Sequence, residues 1–244
     1  MTQIAHARTF DGVDDFLEMS IGGLDAALTS MSIVSIIKPV DAAVFRDILV
    51  VEDPLGFAFG LGPTSQELYF YNGVALDDSS GNFADAANGW MIIALTKPSG
   101  SSVVRWHKYV YGTQTWTHEA GATSLAQPAT PTSLTNIYIG GQTEFNGMIA
   151  CLGYWPTVAL SDGTLESMVS LLSAWEATSP GALWLLDQSS ETIAVDDRIG
   201  SADQVNRTGT TATAISDLDF YIGGAPPTVT PKSKSAAVHK RRRM

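Results

Sequence analysis

The stretch from Met31 to Pro39 constrains this chain more than any other. Read with the two-residue alternation of a strand, it sets Met31, Ile33 and Ile37 on one side and Val34 and Ile36 on the other. A strand apolar on both faces does not suit a half-wet sheet, so it belongs inside a sandwich. Similar β-branched or aromatic runs follow at 44–51, 68–71, 90–95, 103–111, 137–140 and 148–155, and strand-like composition returns at 182–187 and 208–215. Turn formers separate them, among them Glu52-Asp53-Pro54, Gly60-Leu61-Gly62-Pro63, Asn72-Gly73 and Pro98-Ser99-Gly100. The pattern predicts an all-β protein built as an antiparallel two-sheet sandwich. One segment breaks the rhythm. Leu165, Met168, Val169, Leu172 and Trp175 recur at helical spacing between Ser161-Asp162-Gly163 and Thr178-Ser179-Pro180. They predict one amphipathic helix over 163–177, packed on the outside of the sandwich.

Composition narrows the class further. Of the 244 residues, 45% are hydrophobic and only 16% charged, where soluble domains average about a quarter charged. A disordered body is excluded. No apolar run approaches the roughly 20 residues of a membrane helix. The opening Met1-Thr2-Gln3 runs into His6, Arg8 and Asp11 instead of an apolar core, so no secretory leader is expected. Cys151 is the only cysteine, which rules out an internal disulfide or a cysteine zinc site and predicts folding in a cytosol.

Charge divides the chain in two. Residues 1–224 carry 25 acids against 8 bases, net −17. Residues 225–244 carry Lys232, Lys234, Lys240, Arg241, Arg242 and Arg243 and no acid. The division predicts a domain over 1–224, with 182–224 sharing its core, followed by a basic tail over 225–244. The tail suits an acidic protein surface, a phosphate partner or plain solvent. Anchoring to a protein partner is the expectation, because a body at −17 repels nucleic acid.

Three segments carry a family resemblance. They are Phe10-Asp11-Gly12-Val13-Asp14-Asp15-Phe16-Leu17, then Met31 to Pro39, then Ile137-Tyr138-Ile139-Gly140-Gly141 through Phe145-Asn146-Gly147 to Leu160-Ser161-Asp162. Their order and spacing resemble the laminin-G-like, concanavalin-A-like jelly roll over residues 5–177. A fourth segment, Leu183-Trp184-Leu185-Leu186-Asp187 through Val195-Asp196-Asp197 and Ile199-Gly200 to Gly209-Thr210-Thr211, resembles a motif that precedes the domain in many members. Here it follows. That arrangement is similar to minor structural proteins of tailed bacteriophages.

The resemblance implies a non-enzymatic virion protein made in the host cytoplasm. The first placement is a minor tail protein with a lectin-like domain for host-surface glycans or assembly contacts. A capsid decoration protein on the head exterior and a free carbohydrate-binding module are the alternatives. Implied partners are other phage structural proteins, further copies of this chain in the particle, and host glycans; no membrane partner is implied.

Three kinds of chemistry are candidates. Tyr69, Tyr71, Trp106, Tyr109, Tyr111 and Trp116 crowd the middle strands, and flat rings beside polar groups suit the C–H faces of sugars. Tyr71, Trp106 and Tyr111 are the glycan candidates, with burial in the core the competing reading. Alternation sets Trp106 opposite Tyr109 and Tyr111, so the six cannot share one platform. Asp77 and Asp78, with Asp85 nearby, form an oxygen-rich stretch for Ca²⁺ that lacks the bidentate Glu of an EF-hand. A solvated loop competes there, as a tight turn does for Asp11, Asp14 and Asp15. Catalysis is not expected. The Glu-x-Asp-x-x-Glu string of glucanases sharing this fold is missing, and Asp217-Leu218-Asp219 lacks both glutamates. His6, His107, His118 and His239 are scattered, with no nucleophile elbow.

Overall fold

The computed structural model describes residues 2–20, 30–40, 45–52, 56–63, 67–72, 76–79, 83–121, 136–141, 145–190, 194–195, 197–199 and 202–222. The basic tail, including Lys232, Lys234, Lys240, Arg241, Arg242 and Arg243, lies outside them. The first strands are β1 (Thr2–Gln3), β2 (His6–Asp11), β3 (Phe16–Met19), β4 (Met31–Pro39), β5 (Arg46–Glu52) and β6 (Phe57–Leu61). Next come β7 (Leu68–Tyr71), β8 (Leu76–Asp78), β9 (Met91–Lys97), β10 (Arg105–Val110), β11 (Thr115–Ala120) and β12 (Asn136–Ile139). The last are β13 (Asn146–Trp155), β14 (Ala182–Leu185), β15 (Gln204–Thr208), β16 (Thr211–Ala214) and β17 (Tyr221–Ile222).

Among the described residues these strands build two large antiparallel sheets. One runs β11-β10-β9-β4-β13-β2-β16, with β14 paired to β13. The other runs β15-β3-β12-β5-β6-β7-β8, and β1 pairs separately with β17. Neighbours far apart in sequence lie side by side in both, the crossing connectivity of a jelly-roll sandwich.

The double apolarity of β4 has a concrete cause. Its Met31, Ile33 and Ile37 face the other sheet and join Phe59, Phe70, Ile93 and Trp106 in the central core. Its Val34 and Ile36 face outward, into a second core with Ile92, Ala94, Leu165, Trp175 and Phe220. That outer face is dry because a third layer covers it, made of two short helices and the segment 215–222. A two-layer sandwich alone would have left Val34 and Ile36 wet.

The covering layer corrects the single helix expected over 163–177. The chain instead forms α1 (Asp162–Ser167) and α2 (Leu172–Glu176). Between them Leu171 turns extended, at φ −134° and ψ 125°, and bridges to Tyr221. Tyr221 N donates to Ser170 O at 2.9 Å. Pairing with the C-terminal segment thus outcompetes one turn of helix, while the apolar spacing is kept because both helices face the same core. Ser161 caps α1 through Thr164 N. Trp175 Nε1 donates to Met168 O at 2.8 Å, satisfying a carbonyl that the broken helix exposes.

The strand expected over 208–215 also divides. Gly209, at φ +67°, turns the chain from β15, which edges one sheet beside β3, into β16, which edges the other beside β2. Its missing side chain also admits the Asp15 carboxylate.

Candidate functional site

The edge hairpin β10–β11 presents a file of rings on the outer face of its sheet. Register pairs Tyr109 with Trp116 and His107 with His118, and Tyr111 lies two residues beyond Tyr109 on the same side. Ring centroids step 5.2 Å from Tyr111 to Tyr109, 5.3 Å to Trp116, 5.4 Å to His118 and 5.1 Å to His107. Tyr109, Tyr111 and Trp116 are half-buried against the outer core.

A cleft of about 360 Å³ opens at the Tyr111 end, lined by Asn88, Gly89, Trp90, Tyr111, Gly112, Asp217 and Asp219. That is a small-molecule size. The Asp85 carboxylate accepts from Ala87 N at 2.8 Å and so fixes the single-turn helix Ala86–Asn88 that carries Asn88 to the rim. Asp217 is held from two sides. Lys38 Nζ lies 2.6 Å from its Oδ2, and Trp90 Nε1 donates to its Oδ1 at 2.8 Å. Burial acts to raise its pKa, but these hydrogen bonds and the Lys38 charge outweigh it and hold the carboxyl below the usual range. Asp217 is therefore an ionised acceptor. Burial, with the neighbouring Tyr109, keeps the Tyr111 phenol well above its ordinary value, and its hydroxyl donates to Val169 O at 2.8 Å. Such a cleft, with carboxylate and amide beside apolar ring surface, can hydrogen-bond hydroxyls while packing C–H faces.

The three glycan candidates are not brought together. Tyr111 lines the cleft. Trp106 is fully buried, stacked on Phe59 in the central core at 6.5 Å and 13°, and cannot present a face to a sugar. The correction follows from the alternation that set Trp106 opposite Tyr109 and Tyr111. Tyr71 is 41% exposed but stands on β7, in the other sheet.

The calcium candidates are also not gathered. Asp77 and Asp78 are consecutive on β8 and point to opposite faces, the first fully buried where Gly121 leaves it room. Burial raises the Asp78 pKa, helped by the Glu67 and Asp77 charges. Asp85 is engaged as a helix cap. Among the described residues the three carboxylates form no common cluster. Asp11, Asp14 and Asp15 do converge, as a turn: Asp15 Oδ2 accepts from Asp11 N at 2.6 Å, and Asp11 Oδ1 from Val13 N at 2.8 Å.

Sequence reasoning missed two groups at this face. Asn88, which ends the single-turn helix, and Asp219, which lies just before β17, have no local sequence signature. His107 and His118, read as scattered, are opposite each other with their Nδ1 atoms 2.8 Å apart. The signal was present in the two alternating runs that flank Tyr111-Gly112-Thr113-Gln114, whose reflection pairs position 107 with 118. Burial, then the His118 charge, lowers the His107 pKa to about 4, so this ring is neutral in the folded chain near neutral pH.

No protein-family model and no curated protein sequence matches this chain. Among solved structures, a Bacteroides ovatus protein provisionally named as carbohydrate-binding is similar over 91% of this chain, with a TM-score of 0.63 at 18% identity. The chain spans 62% of that protein's length. The CBM40 of a Ruminococcus gnavus IT-sialidase, solved bound to α2,3-sialyllactose, is similar over 68% of this chain and 98% of its own, with a TM-score of 0.46 at 14% identity. Bacteriophage CBA120 tailspike protein 2 is similar over 65% of this chain and 26% of its own, with a TM-score of 0.45 at 13% identity. At 18% identity the likeness to the Bacteroides ovatus protein is one of fold alone.

Proposed function

We propose that this chain is a non-catalytic carbohydrate-binding jelly roll that serves as a structural protein of a tailed bacteriophage particle, placed first in the tail. The binding half rests on the cleft, where the Tyr111 ring, the Asn88 amide and the Asp217 and Asp219 carboxylates meet in a space of small-molecule size. The absence of catalysis is part of the proposal. It rests on the sequence, where the Glu-x-Asp-x-x-Glu string of glucanases sharing this fold is missing and Asp217-Leu218-Asp219 lacks both glutamates. Placement in a particle rests on the sequence resemblance of 183–211 and on a basic tail behind an acidic body. Display in many copies would turn weak single-site binding into firm attachment through avidity. Released alone, the same cleft describes a free carbohydrate-binding module.

A glycan array probed with monomeric and multimerised protein tests the first half. Asp219→Ala and Asn88→Ala are expected to weaken the retained glycan at least about tenfold, while Tyr71→Ala leaves it unchanged; one lost polar contact of this kind is worth about 1–2 kcal/mol. Equal losses from all three, or turnover of any glycan, would overturn the reading. Mass spectrometry of purified particles tests the second half. The full chain is expected in them, and deletion of Lys232–Met244 is expected to lower its incorporation while leaving Tm and glycan binding unchanged. A chain found only free in culture fluid would leave the carbohydrate-binding module as the reading.

A further inference from the structure

We propose that His107 Nδ1, His118 Nδ1 and the Asp162 carboxylate form a binding site for a zinc-class divalent transition-metal ion at the far end of the ring file. The three side chains come from separate elements. β10 and β11 bring the two histidines opposite each other, and α1 lays Asp162 across them. One ligand atom from each lies within 4.8 Å of the others. His107 Nδ1 is 2.8 Å from His118 Nδ1 and 3.7 Å from Asp162 Oδ1.

The surroundings match what a metal-bound imidazole needs. A ligating histidine donates its second ring N–H to an oxygen, which fixes its tautomer and orientation. His107 Nε2 lies 2.9 Å from Thr96 Oγ1. His118 Nε2 is buried without a hydrogen-bond partner among the described residues, and Glu166 Oε1, one helical turn after Asp162, faces it at 3.6 Å. Arg105 Nη2 binds Asp162 Oδ2 at 2.9 Å, leaving Oδ1 turned toward His107. Without an ion, one of the two facing Nδ1 atoms must carry a hydrogen to bridge the 2.8 Å gap. With an ion, both hydrogens sit on the Nε2 atoms, where Thr96 and Glu166 accept them, and no net proton is released from the neutral pair. A tetrahedral ion with bonds of about 2.0–2.1 Å separates two nitrogens by about 3.3 Å, so the rings need to part by about half an ångström.

Donor chemistry selects the ion. Two imidazoles and one carboxylate suit zinc and its first-row neighbours, whereas calcium and magnesium take oxygen cages. Access is from the helix side, where the Asp162 and Glu166 side chains are 36% and 53% exposed. The fourth position is then open to water. The ion would fasten the edge hairpin to α1 and fix the His118 ring, which stacks on Trp116 at 8°. The site does not depend on the glycan reading.

Untagged full-length protein, stripped with a chelator and titrated with ZnCl₂ by calorimetry, tests the proposal. One ion per chain is expected in the micromolar range or tighter, with no uptake of millimolar CaCl₂ or MgCl₂. Substituting Co²⁺ should give the visible absorption of a low-symmetry site. His118→Ala and Asp162→Asn, both at partly exposed positions, should each weaken Zn²⁺ at least about tenfold. His6→Ala and His239→Ala should leave it unchanged. Melting curves of the stripped variants establish that each is folded. No uptake at 100-fold excess, or uptake indifferent to His118→Ala in a folded variant, overturns the proposal.

Discussion

Lys97 ends β9 with its side chain turned into the protein, 1% exposed, and its Nζ has no hydrogen-bond partner among the described residues. Desolvation lowers its pKa. A depressed lysine binds fewer protons folded than unfolded between its folded value and the ordinary value of about 10.4. Unfolding takes up protons in that window, so stability rises with pH as the alkaline range is crossed toward the ordinary value. Lys97→Met fills a similar volume without the amine. It should stabilise the protein by about 1–3 kcal/mol at pH 7 and flatten the alkaline rise, both read from denaturant midpoints at several pH values. A variant less stable than the parent at pH 7 would show that the amine has a partner. In the sequence it reads as the polar end of the run 91–97, although alternation sets it on the core face with Met91, Ile93 and Leu95. For the histidine pair, alternation and one turn suffice to place it.

At the scale of elements, the errors of sequence reasoning have one common cause, which is pairing with distant segments. In β13 the register against β4 shifts between Ile149 and Cys151. Ile149 therefore shares the central core with Leu152 and Tyr154, while Ala150 and Cys151 both face the outer core. Strict alternation would have set Leu152 and Tyr154 on the wrong side. Gly153 carries no side chain because the rings of Trp155 and Trp175 occupy that space. The break between α1 and α2 likewise exists for Tyr221, and the turn at Gly209 for two sheet edges. What remained legible was the apolar spacing itself, which records the face an element buries whether or not it is continuous. Trp175 tests this. It is fully buried, 6.2 Å from the Trp155 ring and 5.8 Å from that of Phe220. Trp175→Ala should cost about 3–5 kcal/mol in chemical denaturation. A loss below about 1 kcal/mol would mean that the covering layer contributes little to the folded state.

For the whole molecule, the question is what residues 178–222 contribute, since the jelly-roll resemblance ends near residue 177. They supply an edge strand to each large sheet, β15 beside β3 and β16 beside β2, and β14 beside β13. They send Trp184 into the central core, where its Nε1 donates to Ala202 O at 2.6 Å. Leu218 and Phe220 go to the outer core. The Asp187 carboxylate accepts from the backbone of Ala5 and His6, and so ties the segment back to the start of the chain. Sandwich architecture was legible because both cores print on β4, but this closing role was not, since short strands of Thr, Ala and Asn carry little apolar signal. Ending the chain after Ala177 would empty positions in both cores and bare the unpaired edges of β2 and β3, which invite pairing between molecules. The truncated protein is expected to be insoluble, or compact without a cooperative transition, by circular dichroism and size-exclusion chromatography. A soluble 1–177 fragment that unfolds cooperatively near the parent's midpoint would show instead that the jelly roll closes without its extension.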